Sequence, residues 1–196
     1  MGVSNRNLYI GCFASLILCI FYICILDYYT FPSGDEIGTA DSAINWVTDG
    51  EWYSAVWVYT YHPLHNFLLT LWISVFGISH QAVCSMNVVI AFIVSLLCLK
   101  ILSERRIINS LFSILLFVFL FWTIAPHSNG RIDCLMLLFS LGIADQLIPS
   151  SENRNKNNKL LAFYSFSLMF TGIYSLPILL VLGIALLIYA RKDVEK

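Results

Sequence analysis

Residues 82–102, AVCSMNVVIAFIVSLLCLKIL, form one apolar run with a single charge, Lys100, close to its end. A helix needs roughly 20 apolar residues to cross about 30 Å of hydrocarbon, and it is the only lone segment that satisfies all of its own backbone hydrogen bonds in lipid. Comparable or shorter runs occupy Leu8 to Leu26, Ile107 to Ile124, Cys134 to Ile148, Leu160 to Ile173 and Leu176 to Ala190. With 59% hydrophobic and 12% charged residues, the chain holds more apolar side chain than one soluble core of this size can hide. The expected fold is all-α: a polytopic transmembrane helical bundle of about six or seven spans. The alternating segments of a membrane β-barrel are missing from the sequence.

Leu8 to Leu26 is longer than the usual apolar core of a signal peptide and no small-x-small cleavage pattern follows it, so it reads as a membrane anchor. The segment His62 to Phe76 is ambiguous, either a short span or a helix lying at the interface. Loop charge bears on this, because cytoplasmic loops carry an excess of Lys and Arg. The basic clusters are Lys100/Arg105/Arg106, Arg154/Lys156/Lys159 and Arg191/Lys192/Lys196, with Arg6 near the N-terminus. If residues 62–79 do not cross, the chain has about six spans, both termini are cytoplasmic and every basic cluster is inside. Residues 27–63 are then the first extracytoplasmic loop, and the turn His127 to Asp133 shares its face. The expected location is a plasma or inner membrane, with any active site facing outward.

That loop opens an unusual segment. Residues 31–79 hold five of the chain's twelve acidic residues and no Lys or Arg. Pro32-Ser33-Gly34 is a turn, and Asp35-Glu36 begins a helical pattern with Ile37, Ala40, Ile44 and Val47 on one face, ending at Gly50. An amphipathic helix here is expected to lie along the membrane surface, apolar face down, with Trp46, Trp52, Tyr53, Trp57, Tyr59 and Tyr61 at headgroup depth. The acids at its start have an ordinary explanation, since carboxylates favour the positive end of a helix dipole. They also suit a second role, in which a carboxylate takes the proton of an acceptor hydroxyl while a lipid phosphate departs. His62 and His65 flank Pro63-Leu64 at the far end of the loop, and Arg131 and Asp133 lie in the turn expected on the same face. Charged groups at the mouth of a membrane helix are functional candidates, although a salt bridge closing that turn would also account for the pair.

The six cysteines fall in or beside apolar runs without CxxC spacing and read as packing residues. His80 and His127 read as polar caps at helix ends. No basic patch with interleaved aromatics suggests nucleic acid.

In order along the chain, GDEIGTADSAINWVTDGEW, HPLHNFLLTLWISVFGIS and a turn ending GRID before an apolar helix resemble the N-terminal transmembrane half of the GT-C fold membrane glycosyltransferases. The nearest in pattern are the protein O-mannosyltransferases and the lipid A aminoarabinose transferases. The likeness covers most of residues 8–145 and more weakly TGIYSLPILLVLGIALL, where Tyr174 stands in place of a frequent Lys. The resemblance implies that residues 1–196 are one GT-C-like module that moves a sugar, with inversion, from a polyprenyl-phosphate donor to a lipid, glycan or protein acceptor. It assigns Asp35 as base and Glu36 as its companion, and sets His62 before the Pro and Asp133 facing the site. His62, His65, Arg131 and Asp133 are the expected substrate-binding groups. Some members bind a divalent cation, for which Asp133 and His62 are the candidate ligands here. Members of this class usually continue through further helices, so a truncated form, or a module working with a partner subunit, is expected.

The competing class is a non-catalytic membrane subunit or assembly factor. A coupled transporter would carry ionisable groups in mid-span and show repeat symmetry. Asp27 and Asp145 instead stand at the ends of runs, and the two halves are not visibly alike.

Overall fold

The computed structural model describes residues 13, 16–18, 20–21, 34–52, 62–104, 121, 133–147, 157–172, 175–181 and 183–184, with backbone alone for 34–39 and 103–104. All regular structure among the described residues is helical. Five helices organise it: α1 (Gly34–Asp49), α2 (Pro63–Phe76), α3 (His80–Glu104), α4 (Asp133–Leu147) and α5 (Asn158–Thr171).

The helix limits follow from local chemistry. Gly50 takes φ 73°, a left-handed conformation open to glycine at little cost, and ends α1 where the sequence pattern stops. Pro63 begins α2 at a position where a missing N–H costs nothing. Gly77, at φ 87°, ends it by donating its N–H to the Ile73 carbonyl at 2.9 Å. After only Ile78 and Ser79 the chain re-enters helix, where the Ser79 hydroxyl accepts the Ala82 N–H at 3.0 Å. That cap explains why α3 starts at His80, two residues before the apolar run. Its His80–Leu102 stretch is the one described segment long and apolar enough to cross a membrane. At the start of α5, the Asn157 side chain accepts the N–H groups of Lys159 and Leu160 at 3.1 and 3.2 Å.

Pairwise contacts fix the helix directions. Lys100, late in α3, meets Asp145, late in α4, at 3.3 Å. Met86 to Ile90, early in α3, shares an open groove of about 490 Å³ with Leu135 to Phe139, early in α4. The two helices therefore run parallel. Helix α5 returns antiparallel along α4: Gln146 Oε1 accepts the Asn157 N–H at 3.3 Å, and the Phe139 ring stacks with Phe163 and Tyr164. Gly142 is the point of closest approach, where a Cβ would stand 2.8 Å from the Tyr164 ring. Helix α2 joins α3 through Trp72, whose Nε1 donates to Ser85 Oγ at 3.0 Å.

Helix α1 packs against α2 through Ala40, Ser42 and Ala43, all buried, with Ile44 and Val47 half-buried beside them. Of the expected apolar stripe, Ala40 is buried and Ile44 and Val47 are half-buried. Trp46 and Trp52 are exposed, whereas Tyr53, Trp57, Tyr59 and Tyr61 lie outside the described residues.

Among the described residues, polar side chains are buried alongside the apolar core while many large apolar ones are exposed. Ser42, Asn66, Thr70, Asn87, Ser95, Ser167, Thr171 and Ser175 are buried, while Phe67, Leu71, Val75, Phe163, Phe166, Leu180 and Val181 are exposed. Several interior hydroxyls return their hydrogen to a carbonyl one turn back: Thr70 to Asn66 at 2.8 Å, Ser95 to Ala91 at 2.8 Å and Thr171 to Leu168 at 2.6 Å. They are thus satisfied within their own helix and let neighbours approach. Cys84, Cys98 and Cys134 are free thiols, two of them fully buried, packed as the sequence suggested.

Candidate functional site

The expected site residues fall at three places. Asp35 and Glu36 occupy the first turn of α1, with side chains outside the described residues. Ser42 is fully buried in the packed half of α1. His62 and His65 stand at the start of α2, where His62 is the residue before Pro63 and its carbonyl accepts the Asn66 N–H at 2.9 Å. Asp133 is the first residue of α4, exposed, with its carboxylate at the favourable end of the helix dipole. Arg131 lies outside the described residues.

The densest polar grouping surrounds His65. Its ring is wholly buried, and Asn66 and Asn87 are buried with it. Burial pushes the imidazole pKa down from 6.5 to about 4; nearby His62 pushes the same way, while the Asn66 and Asn87 side chains beside the ring favour the charged form. Neither ring nitrogen has a partner at hydrogen-bonding geometry, so the two amides approach more loosely than a true hydrogen bond. At neutral pH His65 is an uncharged imidazole in an amide-lined interior. It can give or accept a hydrogen bond but cannot supply positive charge to a phosphate.

Two members of this grouping, Asn66 and Asn87, were not singled out from sequence, and neither was Ser42. The signal existed: Asn87 is a carboxamide inside the apolar run 82–102, and a polar group there is costly in lipid unless a neighbour meets it. For the divalent cation, the described residues do not fit. No three His, Cys, Asp or Glu side chains among them converge; His62 is buried and Asp133 exposed.

No family model, curated protein or solved structure matches the chain.

Proposed function

We propose that the chain is a multi-pass membrane glycosyltransferase that uses a polyprenyl-phosphate sugar as donor at the outer or lumenal face. The observation that carries the proposal is the packing of the acidic helix α1 against α2, the helix that opens with His62-Pro63-Leu64-His65, directly after the first apolar run. This brings the Asp35-bearing helix and a buried histidine cluster into one unit. In the reaction, Asp35 takes the proton of the acceptor hydroxyl, whose oxygen bonds to the anomeric carbon opposite the leaving group. The bond from that carbon to the polyprenyl phosphate oxygen breaks, and the configuration inverts. Glu36 supports the base. His62, Arg131 and Asp133 face the donor, and the charge needed to stabilise the departing phosphate falls to Arg131 because His65 is neutral. His65 then acts as a positioning residue beneath His62.

The membrane part of the proposal is about six spans with α2 not crossing. At 14 residues, α2 is about 21 Å long, as is α5, so length does not separate the two and leaving α2 uncrossed rests on loop charge. The exposed Phe, Leu and Val side chains of the described helices support lipid around the bundle, since such an exterior is costly in water. The parallel α3 and α4 gather Lys100 and Lys159 at one end and His80 and Asp133 at the other, in line with basic residues inside.

The test is donor turnover by purified protein in lipid nanodiscs, reading release of polyprenyl phosphate from a panel of labelled polyprenyl-phosphate sugars with an acceptor extract. Asp35→Asn is expected to abolish release while inserting normally. Wild-type turnover in that variant would remove the base assignment.

A further inference from the structure

Trp46 and Trp52 have no part in the fold's core or in the proposed reaction. Trp46 lies in the last turn of α1, and its carbonyl accepts the Gly50 N–H at 3.1 Å. The left-handed Gly50 then reverses the chain and brings Trp52 back onto Trp46, with ring centroids 5.7 Å apart and planes inclined by 60°. Both rings remain open to the surroundings, at 45% and 39% exposure. Asp49 and Glu51 fall between them in sequence and are exposed.

The charge pattern at this point opposes the helix. The C-terminal end of a helix is its negative pole, where Lys or Arg is favourable, yet α1 has no basic residue in its last turn and ends on Asp49. The faces of indole rings are negative as well. A helix end, two carboxylates and two aromatic faces therefore gather negative potential at one exposed corner, and residues 31–79 contain no Lys or Arg to balance it.

We propose that Trp46, Trp52, Asp49 and Glu51 form a binding site for the alkylammonium group of a zwitterionic phospholipid headgroup, which holds the end of α1 at the membrane surface. A methylated ammonium is attracted to an indole face when it lies within about 6 Å of the ring centroid; the edge of one ring covers a face of the other in this pair, and the ring surface left open is what a cation would meet. The carboxylates add Coulomb attraction and repel lipids whose headgroup is only anionic. The site lies at the opposite end of α1 from Asp35, so it is separate from the proposed transfer chemistry.

The test uses the full chain in maltoside micelles, following tryptophan fluorescence during titration with dihexanoyl phosphatidylcholine below its micelle concentration. Dihexanoyl phosphatidylglycerol, tetramethylammonium chloride and sodium chloride serve as parallel arms. The expected result is a saturable response to phosphatidylcholine and tetramethylammonium and none to the other two. Affinity should fall about two- to fivefold in Trp52→Leu, by the worth of an aromatic–cation contact at an exposed site, and by a similar factor in Asp49→Asn/Glu51→Gln. Equal responses to both lipids would overturn the proposal in favour of simple apolar insertion. A response to tetramethylammonium without one to phosphatidylcholine would overturn the lipid in favour of a soluble cation. Circular dichroism accompanies each variant. If Trp52→Leu loses helix, the doubly neutralised variant decides, and wild-type affinity there overturns the site.

Discussion

Replacing Gly142 with alanine sets two effects of opposite sign against each other. Alanine is the better helix former by about 1 kcal/mol, so in an unhindered helix the change would stabilise. At Gly142 the new methyl would lie 2.8 Å from Cγ, Cδ2 and Cε2 of Tyr164, against about 3.5–4.0 Å for relaxed carbon contacts. Because Cγ is among the atoms met, turning the ring about its axis does not clear the clash, and α4 and α5 must separate by several tenths of an ångström. Such overpacking costs about 1–3 kcal/mol. The net expectation is destabilisation by up to about 2 kcal/mol, as much as a thirtyfold drop in the folded ratio. In a Tyr164→Ala background the obstruction is gone, and Gly142→Ala should then be neutral or stabilising by up to about 1 kcal/mol. Reversible unfolding of the four proteins of this cycle in mixed micelles measures both steps. Additivity, with Gly142→Ala costing the same in both backgrounds, would refute close packing of Gly142 on Tyr164.

Two further outcomes follow from the described contacts. The folded pKa of His65, about 4, lies below its unfolded value of 6.5, so the unfolded chain binds more protons between those values; the stability is fully present above pH 6.5 and is lost as pH falls towards 4. That loss is on the order of 3 kcal/mol, and His65→Gln should flatten the pH dependence of unfolding in this window; an unchanged slope would show that His65 is not buried as a neutral ring. Asn157→Ala removes the acceptor for two N–H groups at the start of α5 and should lower stability by about 1 kcal/mol, with Asn157→Asp retaining most of it.

Punctuation made much of the helix pattern legible in the sequence. The turn Pro32-Ser33-Gly34 and Gly50 bracket α1, His62-Pro63 and Gly77 bracket α2, and the length of the run 82–102 marks α3. Boundaries slipped where a polar residue caps a helix, as Ser79 does for α3, because apolar periodicity cannot register a polar first turn. Which faces meet was not legible. Apolar periodicity does not register which buried polar groups meet between helices, so Ser42, Asn66 and Asn87 carried no mark in the pattern. Of the candidate site, the histidines could be read as a pair from the motif, but the neutrality of His65 comes from its burial, which is a product of tertiary packing, while Asn87 of α3 beside the ring pushes the other way.

Sidedness tests the central claim most directly. Single cysteines replace Thr48, Ile78 and Asn158, all exposed, in an otherwise cysteine-free chain, and intact cells are labelled with an impermeant maleimide. A multi-pass protein whose α2 does not cross predicts labelling at Thr48 and Ile78 and protection at Asn158 until the membrane is opened. Protection at Ile78 with labelling at Asn158 would mean that α2 spans the bilayer, and it would contradict the account.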